Sequence, residues 1–223
     1  MGYHIDTGLI YEKFSTKCDC PLCEIQQIVE EQFLHEFLND AVMEDNTRIK
    51  VGKKGFCEKH FDMLYSRPNK LSVALQVGTR LEKIAPEFAV TSGNAKKLAQ
   101  KLHALTGSCA ICDFVEESMV KYYKTIAQMY LKEREFYKIL LSTDGFCAHH
   151  YAELIKYSDH AGLTKKDYKK LLSTVQTRSI ETVRNDLKAF CDKHDYRKAL
   201  EPLGKAEFAL PNARTKLYGK KYD

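Results

Sequence analysis

The sequence lacks the features by which membrane proteins and many familiar enzymes are recognised. It has no apolar run long enough to span a bilayer, and its start, Met1-Gly2-Tyr3-His4-Ile5-Asp6, has neither the basic nor the apolar region of a signal peptide. A P-loop, a dinucleotide-binding glycine motif, a nucleophile elbow and an H-E-x-x-H motif are also absent. We therefore expect a cytoplasmic protein without a membrane partner, and the missing motifs argue against an enzyme of a familiar class.

Length and charge set broad limits on what the chain can be. With 223 residues, 44% of them hydrophobic, it can bury a core as one large or two small domains. The net charge is only +5, and the excess of Lys and Arg lies in the second half of the chain. This asymmetry could mark an acidic partner, or it could let the two ends of the chain attract each other.

Cysteine and histidine recur in one framework that occurs twice. In each copy a C-x-x-C pair is followed by a Gly-Phe-Cys-x-x-His segment, and 33 or 34 residues separate the pair from the cysteine of that segment. The first copy contains Cys20, Cys23, Cys57 and His60, and the second contains Cys109, Cys112, Cys147 and His150. Equivalent cysteines are 89 or 90 residues apart, so the simplest explanation is an internal duplication.

Helical periodicity places these pairs at the starts of helices and predicts an all-α fold. An amphipathic run begins directly after each C-x-x-C pair, and Pro21 suits a first helical turn because its missing N–H would have had no intrahelical partner. The Cys57 and His60 side chains lie three residues apart, on one face of a helix that begins there. Gly55 and Gly145 supply the sharp turn before each of these helices.

Thiolate and imidazole ligands at this spacing are typical of tetrahedral zinc sites. In a reducing compartment such pairs indicate metal ligands rather than disulfides. We predict two zinc ions per chain, one in each copy of the framework and each joining the two helix starts of its own copy. The expected ligand sets are Cys20, Cys23, Cys57 and His60 for one site, and Cys109, Cys112, Cys147 and His150 for the other. An iron–sulfur cluster held by the same residues is the alternative cofactor.

The predicted organisation follows the two copies. Residues 1–91 form a first metal-binding helical repeat with an N-terminal arm, and residues 92–205 form a second repeat, with a long helix from about Thr164 to His194. Residues 206–223 read as an irregular basic tail, and residues 44–54 as a polar loop. Another helix, interrupted at Pro86, is indicated by Leu71, Leu75, Leu81, Ile84 and Phe88.

Several other residues are candidates for a role. Arg48 could contact an anion or a partner, or it could be solvated. Cys18 has no counterpart in the second copy, and Cys191 with His194 repeats the C-x-x-H spacing without a C-x-x-C partner. Aromatic residues are dense in residues 110–141, where they either line a ligand cleft or pack in the core: Tyr122, Tyr123, Tyr130, Phe136 and Tyr137.

Three sequence features together resemble a bacterial family that is known only as a domain of unknown function. They are Cys20-Pro21-Leu22-Cys23, the Met43-Glu44 stretch with Arg48, and Gly55-Phe56-Cys57-x-x-His60. The resemblance extends nearly end to end, and it implies a bacterial, cytoplasmic, duplicated metal-binding fold without implying an activity. Cys18 departs from the pattern.

Three functions are compatible with these observations. The chain could be a metal-stabilised scaffold or interaction protein with a protein or small-molecule partner, because four side-chain ligands close a structural zinc site. It could be an enzyme or redox protein, in which the metal is an iron–sulfur cluster or a histidine ligand leaves to open a position. It could also bind nucleic acid through lysines of the second half: Lys165, Lys166, Lys169, Lys170, Lys216, Lys220 and Lys221.

Overall fold

The structure, a computed structural model, describes residues 5, 7–39, 44–88, 95–193, 202 and 204–220. The described residues contain helices and no strand, which confirms the all-α prediction. The helices are α1 Gly8–Ser15, α2 Pro21–Leu38, α3 Asp45–Lys54, α4 Glu58–Tyr65, α5 Lys70–Ile84, α6 Ala95–Thr106, α7 Ala110–Lys132, α8 Arg134–Ser142, α9 Ala148–Lys156, α10 Lys165–Lys193 and α11 Ala209–Tyr218. Turns of 3₁₀ helix cover Ala85–Phe88, Ser158–Thr164 and Gly204–Phe208. Among the described helices, none combines the length and apolar character that a bilayer crossing requires.

The chain forms two compact units that are not its sequential halves. The terminal unit comprises Met1–Gln27 and Met119–Asp223, and the central unit comprises Ile28–Ser118. These limits differ from the predicted division at residues 91 and 205. The predicted boundary between residues 91 and 92 lies outside the described residues.

The core of the terminal unit is built on the long helix α10. Its Tyr168, Leu172 and Val175 side chains are fully buried. Helix α1 packs against α8, where the ring of Phe14 lies 5.7 Å from that of Phe136, measured between centroids. Of the aromatic residues predicted to line a cleft or fill a core, Tyr122, Tyr123 and Phe136 are buried, Tyr130 is half-buried and Tyr137 is exposed.

Residues 206–223 are not an irregular tail in the part that the structure describes. They contain the end of a 3₁₀ turn and helix α11, and Ala206 and Ala209 are buried. Helix α11 packs against α9 and α10. Small residues at positions 206 and 209 allow this close approach, which the basic composition of the segment concealed.

The polar segment predicted as a loop in the central unit is helix α3. Thr47 and Val51, four residues apart, turn one buried face of this helix toward α5. Gly52 lies in the same helix, and a Cβ atom there would meet the Lys83 ammonium at 2.7 Å. The composition of this segment indicates a loop, but packing of one helix face against α5 is enough to stabilise it as a helix.

Helix α5 was predicted correctly, but most of the apolar residues that indicated it are exposed to solvent. Leu71, Leu75 and Leu81 are each more than half exposed. The buried face instead carries Ser72 and Gln76, whose side chains donate hydrogen bonds to backbone carbonyls at the end of α2, at 2.7 and 2.6 Å. These polar groups satisfy carbonyls that α2 leaves without intrahelical partners, so the helix turns its polar face inward.

Candidate metal centres

The eight predicted ligands meet in two groups of four, but the two copies exchange partners. Cys20 and Cys23 lie with Cys147 and His150, and we call this group the Cys20 site. Cys57 and His60 lie with Cys109 and Cys112, and we call this group the Cys57 site. The prediction that each copy supplies all four ligands of its own site is therefore wrong. Each site combines the C-x-x-C pair of one copy with the Cys-x-x-His pair of the other, and each lies within one unit.

The Cys20 site belongs to the terminal unit. The Nδ1 atom of His150 lies 3.5 Å from the sulfurs of Cys20 and Cys23 and 3.2 Å from that of Cys147. The sulfurs of Cys23 and Cys147 are 3.9 Å apart. All four side chains are buried. Three sulfurs and one ring nitrogen thus surround a single point.

The Cys57 site has the same arrangement in the central unit. The Nδ1 atom of His60 lies 3.3 Å from the sulfurs of Cys57 and Cys112 and 3.2 Å from that of Cys109. The sulfurs of Cys57 and Cys112 are 3.8 Å apart. This site is the more open one, because Cys57 is half-buried and Cys112 is exposed.

These distances fit one tetrahedrally coordinated ion in each site. Metal–sulfur bonds of about 2.3 Å and a metal–nitrogen bond of about 2.05 Å at tetrahedral angles place sulfurs roughly 3.8 Å apart, and a sulfur and a nitrogen roughly 3.6 Å apart. In each site the ligand atoms all lie within 4.8 Å of one another. All eight cysteines of the chain are free thiols, so neither group is a disulfide.

Helix starts position the ligands, as the sequence predicted. Cys57 and Cys147 occupy the residue before the first turn of α4 and of α9, so each histidine three residues later lies in that turn. Gly55 and Gly145 have φ angles of +68° and +91°, which favour glycine. A Cβ atom on Gly145 would lie 2.5 Å from that of Ser179, so the backbone approaches its neighbour too closely for any larger residue.

Two arginines, which the sequence did not single out, anchor the segments that lead into these helices. Arg80 donates hydrogen bonds to the carbonyls of Gly52, Lys53 and Leu105 at 3.2, 2.6 and 3.1 Å. Arg178 donates to the carbonyls of Leu141 and Thr143 at 2.7 and 2.8 Å, using the same side-chain nitrogen. In both sites one accepting carbonyl lies two residues before the glycine. A charged donor thus fixes the position at which each Gly-Phe-Cys segment begins.

Each histidine is oriented through its second ring nitrogen. His60 Nε2 donates to the Glu30 carboxylate at 2.8 Å, and Glu30 is itself buried and paired with Lys59 at 2.6 Å. His150 Nε2 donates to the side-chain oxygen of Gln26 at 2.9 Å. Such partners fix the tautomer that leaves Nδ1 free to bind a metal. Gln26 and Glu30 escaped prediction because polar residues on an amphipathic helix carry no local signal of this role.

In the Cys20 site the three thiols shift one another's pKa values. Burial raises the pKa of the Cys20 thiol, and a hydrogen bond with Cys147 raises the pKa of Cys23 to about 12. Hydrogen bonds from those two thiols lower the pKa of Cys147. A thiol must lose its proton to bind a metal, so a divalent cation would take the place of the protons that the three cysteines still carry.

In the Cys57 site the hydrogen bond between Cys109 and His60 shifts the pKa values of both groups. Burial opposes ionisation of Cys109, but its hydrogen bond with His60 lowers the pKa of the thiol to about 6. Burial also opposes protonation of His60, while hydrogen bonds with Cys109 and Glu30 raise its pKa to about 10. Burial raises the pKa of Cys112. The arrangement already stabilises a thiolate before any metal is bound.

The C-terminal helix brings a cation and a backbone donor to the Cys20 site. Lys216 is 4% exposed and donates to the carbonyls of Asp19 and Asp144 at 2.5 and 2.7 Å. Burial lowers the pKa of this ammonium, whereas the nearby Asp19 and Cys20 oppose the shift. The backbone N–H of Lys220 donates to the Cys23 sulfur at 3.4 Å. A pocket of about 330 Å³ adjoins the site, and its lining includes Cys18, Cys20 and Cys23.

Other predicted residues belong to neither group of four ligands. Cys18 is half-buried, and its sulfur lies 4.0 Å from the carbonyl of Lys13. Cys191 is exposed, and His194 lies outside the described residues. Arg48 is exposed on α3, where its role as an anion or partner contact stays a prediction. Of the lysines considered for nucleic-acid binding, Lys216 is buried and is not available to a phosphate backbone.

Comparison with known proteins gives a family and no activity. No curated protein and no solved structure matches the chain. One family model, described as a family of unknown function (DUF6062), matches residues 1–223. This full-length match agrees with the resemblance carried by the Cys-Pro-Leu-Cys and Gly-Phe-Cys-x-x-His motifs. The chain belongs to the DUF6062 family.

Proposed function

We propose that the protein is a zinc-binding helical scaffold or interaction protein, with one structural zinc ion in each of the two sites. The observation that carries this proposal is the set of sulfur–sulfur and sulfur–nitrogen distances around each histidine Nδ1 atom. Three cysteines and one histidine complete a tetrahedron, whereas catalytic zinc keeps a position open for water or substrate. Four protein ligands per ion therefore favour a structural role.

The alternative readings fit the same ligands less well. An iron–sulfur cluster places several iron and sulfide atoms between its ligands, while each group here has its ligand atoms within 4.8 Å of one another. A zinc enzyme would need His60 or His150 to leave. Both imidazoles are buried and held at Nε2 by a hydrogen bond, which opposes that movement.

Two further features support the cellular location and the interaction role that we propose. Thiolate ligands require a reducing compartment, so we propose the cytoplasm as the location. An interaction role is supported by three leucines of α5, Leu71, Leu75 and Leu81, which are 70%, 53% and 55% exposed. Large exposed apolar residues are typical of interaction sites when they lie side by side, as Leu71 and Leu75 do on adjacent turns of the helix.

Elemental analysis and an absorption spectrum of anaerobically purified protein test the proposal. We expect two zinc ions per chain and a colourless protein. Structural zinc of this type contributes on the order of 10 kcal/mol to folding, so chelation should unfold the chain rather than only inactivate it. A variant with Cys18 and Cys191 both replaced by serine is the control and should keep both ions. A brown protein that contains iron, or a chain without metal that melts at the same temperature, would contradict the proposal.

A further inference from the structure

We infer that the two sites differ in reactivity and that the Cys57 site is an oxidant-sensitive zinc site. A peroxide attacks Cys112, Cys57 then forms a disulfide with it, and the zinc ion of this site is released while the Cys20 site keeps its own. This inference rests on the proposed function, because both sites must hold zinc. It assigns to one of them a regulatory chemistry that a purely structural zinc site does not have.

Exposure of the sulfur ligands separates the two sites. In the Cys20 site the three cysteines are 2%, 5% and 1% exposed. In the Cys57 site Cys109 is 4% exposed, but Cys57 is half-buried and Cys112 is exposed. A metal-bound thiolate reacts with a dissolved oxidant only if the oxidant reaches the sulfur. Cys112 is therefore the point of attack.

The C-terminal segment covers the other site. Gly219 has a φ angle of +81°, and a Cβ atom at this position would lie 3.6 Å from the Cys23 sulfur and 3.9 Å from that of Cys147. The neighbouring residue, Lys220, donates its N–H to Cys23 and pairs its ammonium with Glu24 at 2.7 Å. This contact shields the sulfurs from solvent, and the hydrogen bond reduces the electron density available for attack.

Charge separates the two sites less than exposure does. Three thiolates, a neutral imidazole and Zn²⁺ leave one net negative charge on each site. In the Cys20 site the buried Lys216 ammonium can offset that charge. In the Cys57 site the histidine faces the Glu30 carboxylate, which would raise the basicity of the imidazole, but Lys59 pairs with that carboxylate at 2.6 Å and offsets its charge. Accessibility is therefore the main difference between the two sites.

The proposed reaction is balanced in atoms and electrons. The Cys112 thiolate attacks one oxygen of hydrogen peroxide, the O–O bond breaks, and a sulfenic acid and hydroxide form. The Cys57 thiolate, whose sulfur lies 3.8 Å away, then attacks the sulfenic sulfur and expels a second hydroxide. The two thiolates lose two electrons, the peroxide gains them, and two protons convert both hydroxides to water. Zinc leaves because two of its four ligands have been consumed.

The test uses the full chain with Cys18 and Cys191 replaced by serine, so that only ligand thiols remain. Hydrogen peroxide is added in increments while a metallochromic indicator records zinc release and peptide mass spectrometry maps disulfides. We expect one zinc ion to be released well before the other, together with a Cys57–Cys112 disulfide, and a thiol reductant with added zinc should restore the site. Equal release from both sites, or first release from the Cys20 site, would overturn the inference but leave the proposed function intact. A chain that holds no zinc would overturn both.

A matched pair of variants tests the role of Cys57 directly. Cys57→His keeps four zinc ligands, since two cysteines and two histidines also form structural zinc sites, but it removes the thiol that resolves the sulfenic acid. We expect this variant to accumulate a sulfenic acid on Cys112 that a dimedone probe captures. Cys147→His is the equivalent change in the Cys20 site and should leave the Cys57–Cys112 disulfide unchanged. If the dimedone probe does not label Cys112 in the peroxide-treated Cys57→His variant, the two-step reaction is refuted.

Discussion

Glu30 and His60 form a buried pair in which the Nε2 atom of the imidazole lies 2.8 Å from a carboxylate oxygen. The equivalent histidine, His150, faces the neutral amide of Gln26 at 2.9 Å. A carboxylate partner raises the basicity of a metal-binding imidazole more than an amide does. The two sites therefore differ in the group that tunes their histidine, although their sulfur and nitrogen ligands are the same.

The first prediction exchanges these partners. Glu30→Gln should weaken zinc binding at the Cys57 site by about tenfold or more, and Gln26→Glu should strengthen it at the Cys20 site, because each change alters the basicity of only one imidazole. Competition with a chromophoric chelator measures both affinities, and the thiols that become reactive identify the site that loses its metal. Equal changes at both sites in either variant would contradict this assignment.

The second prediction concerns the arginines that fix the Gly-Phe-Cys segments. Replacing Arg80 by methionine leaves three carbonyls without their charged donor, so we expect a loss of about 2–3 kcal/mol in the free energy of unfolding. Arg178→Met should cost roughly 1.5–3 kcal/mol. Arg184, exposed on α10, is the control and should change stability by less than about 0.5 kcal/mol when replaced by methionine. Urea denaturation in the presence of zinc measures all three, and an equal effect of Arg184→Met would show that the carbonyl contacts are unimportant.

The third prediction tests whether the C-terminal segment that contains Gly219 protects the Cys20 site. Gly219→Val places carbon atoms against the Cys23 and Cys147 sulfurs, so it should displace the segment and speed zinc transfer from this site to a chelator. Gly204→Val is matched for backbone strain, since Gly204 also has a positive φ angle, but a Cβ atom there would lie within 4 Å of none of the residues that the structure describes. We expect this control to leave the transfer rate unchanged. Equal rates in the two variants would mean that the segment does not protect the site.

The fourth prediction is a pH dependence that arises away from the metal centres. Burial and then the hydrogen bond to the Glu133 carboxylate raise the pKa of Tyr11 from its ordinary value of 10.0 to about 12. Because the folded chain favours the protonated phenol, this contribution to stability is fully present below pH 10.0 and is lost as the pH rises through about 12. The difference in stability between the wild-type chain and Tyr11→Phe should therefore be constant below that range and shrink within it. A difference that stays constant up to pH 12 would refute the contact.

Local sequence signals were sufficient to predict the helix starts and the eight residues that meet in the two groups. Short-range physics governs both features: Pro21 suits a first turn, Gly55 permits a positive φ angle, and a Cys-x-x-His pair converges within one helical turn. The long helix α10 likewise follows from a periodic stripe over many residues. These features depend on little beyond neighbouring residues.

The partition of the ligands could not be predicted in the same way. Joining Cys23 to Cys57 closes a loop of 33 intervening residues, and joining Cys23 to Cys147 closes one of 123. Loop-closure entropy grows only with the logarithm of loop length, so spacing hardly distinguishes the two. Packing decides the outcome, and one visible part of it is the hydrogen bond from the Ala110 N–H to the Gly55 carbonyl at 2.9 Å. The inward polar face of α5 was missed for a similar reason, since Ser72 and Gln76 become useful only where α2 ends.

The exchange of ligands between the two copies is the central claim, and cysteine labelling of a Cys147→Ser variant tests it most directly. The variant is made in the chain whose Cys18 and Cys191 are already serine, loaded with zinc and treated with a maleimide. If Cys147 shares its ion with Cys20 and Cys23, those two thiols gain label relative to the parent chain, while the labelling of Cys57, Cys109 and Cys112 does not change. A gain of label on Cys109 and Cys112, with no change on Cys20 and Cys23, would show that each copy holds its own ion, and it would contradict the account.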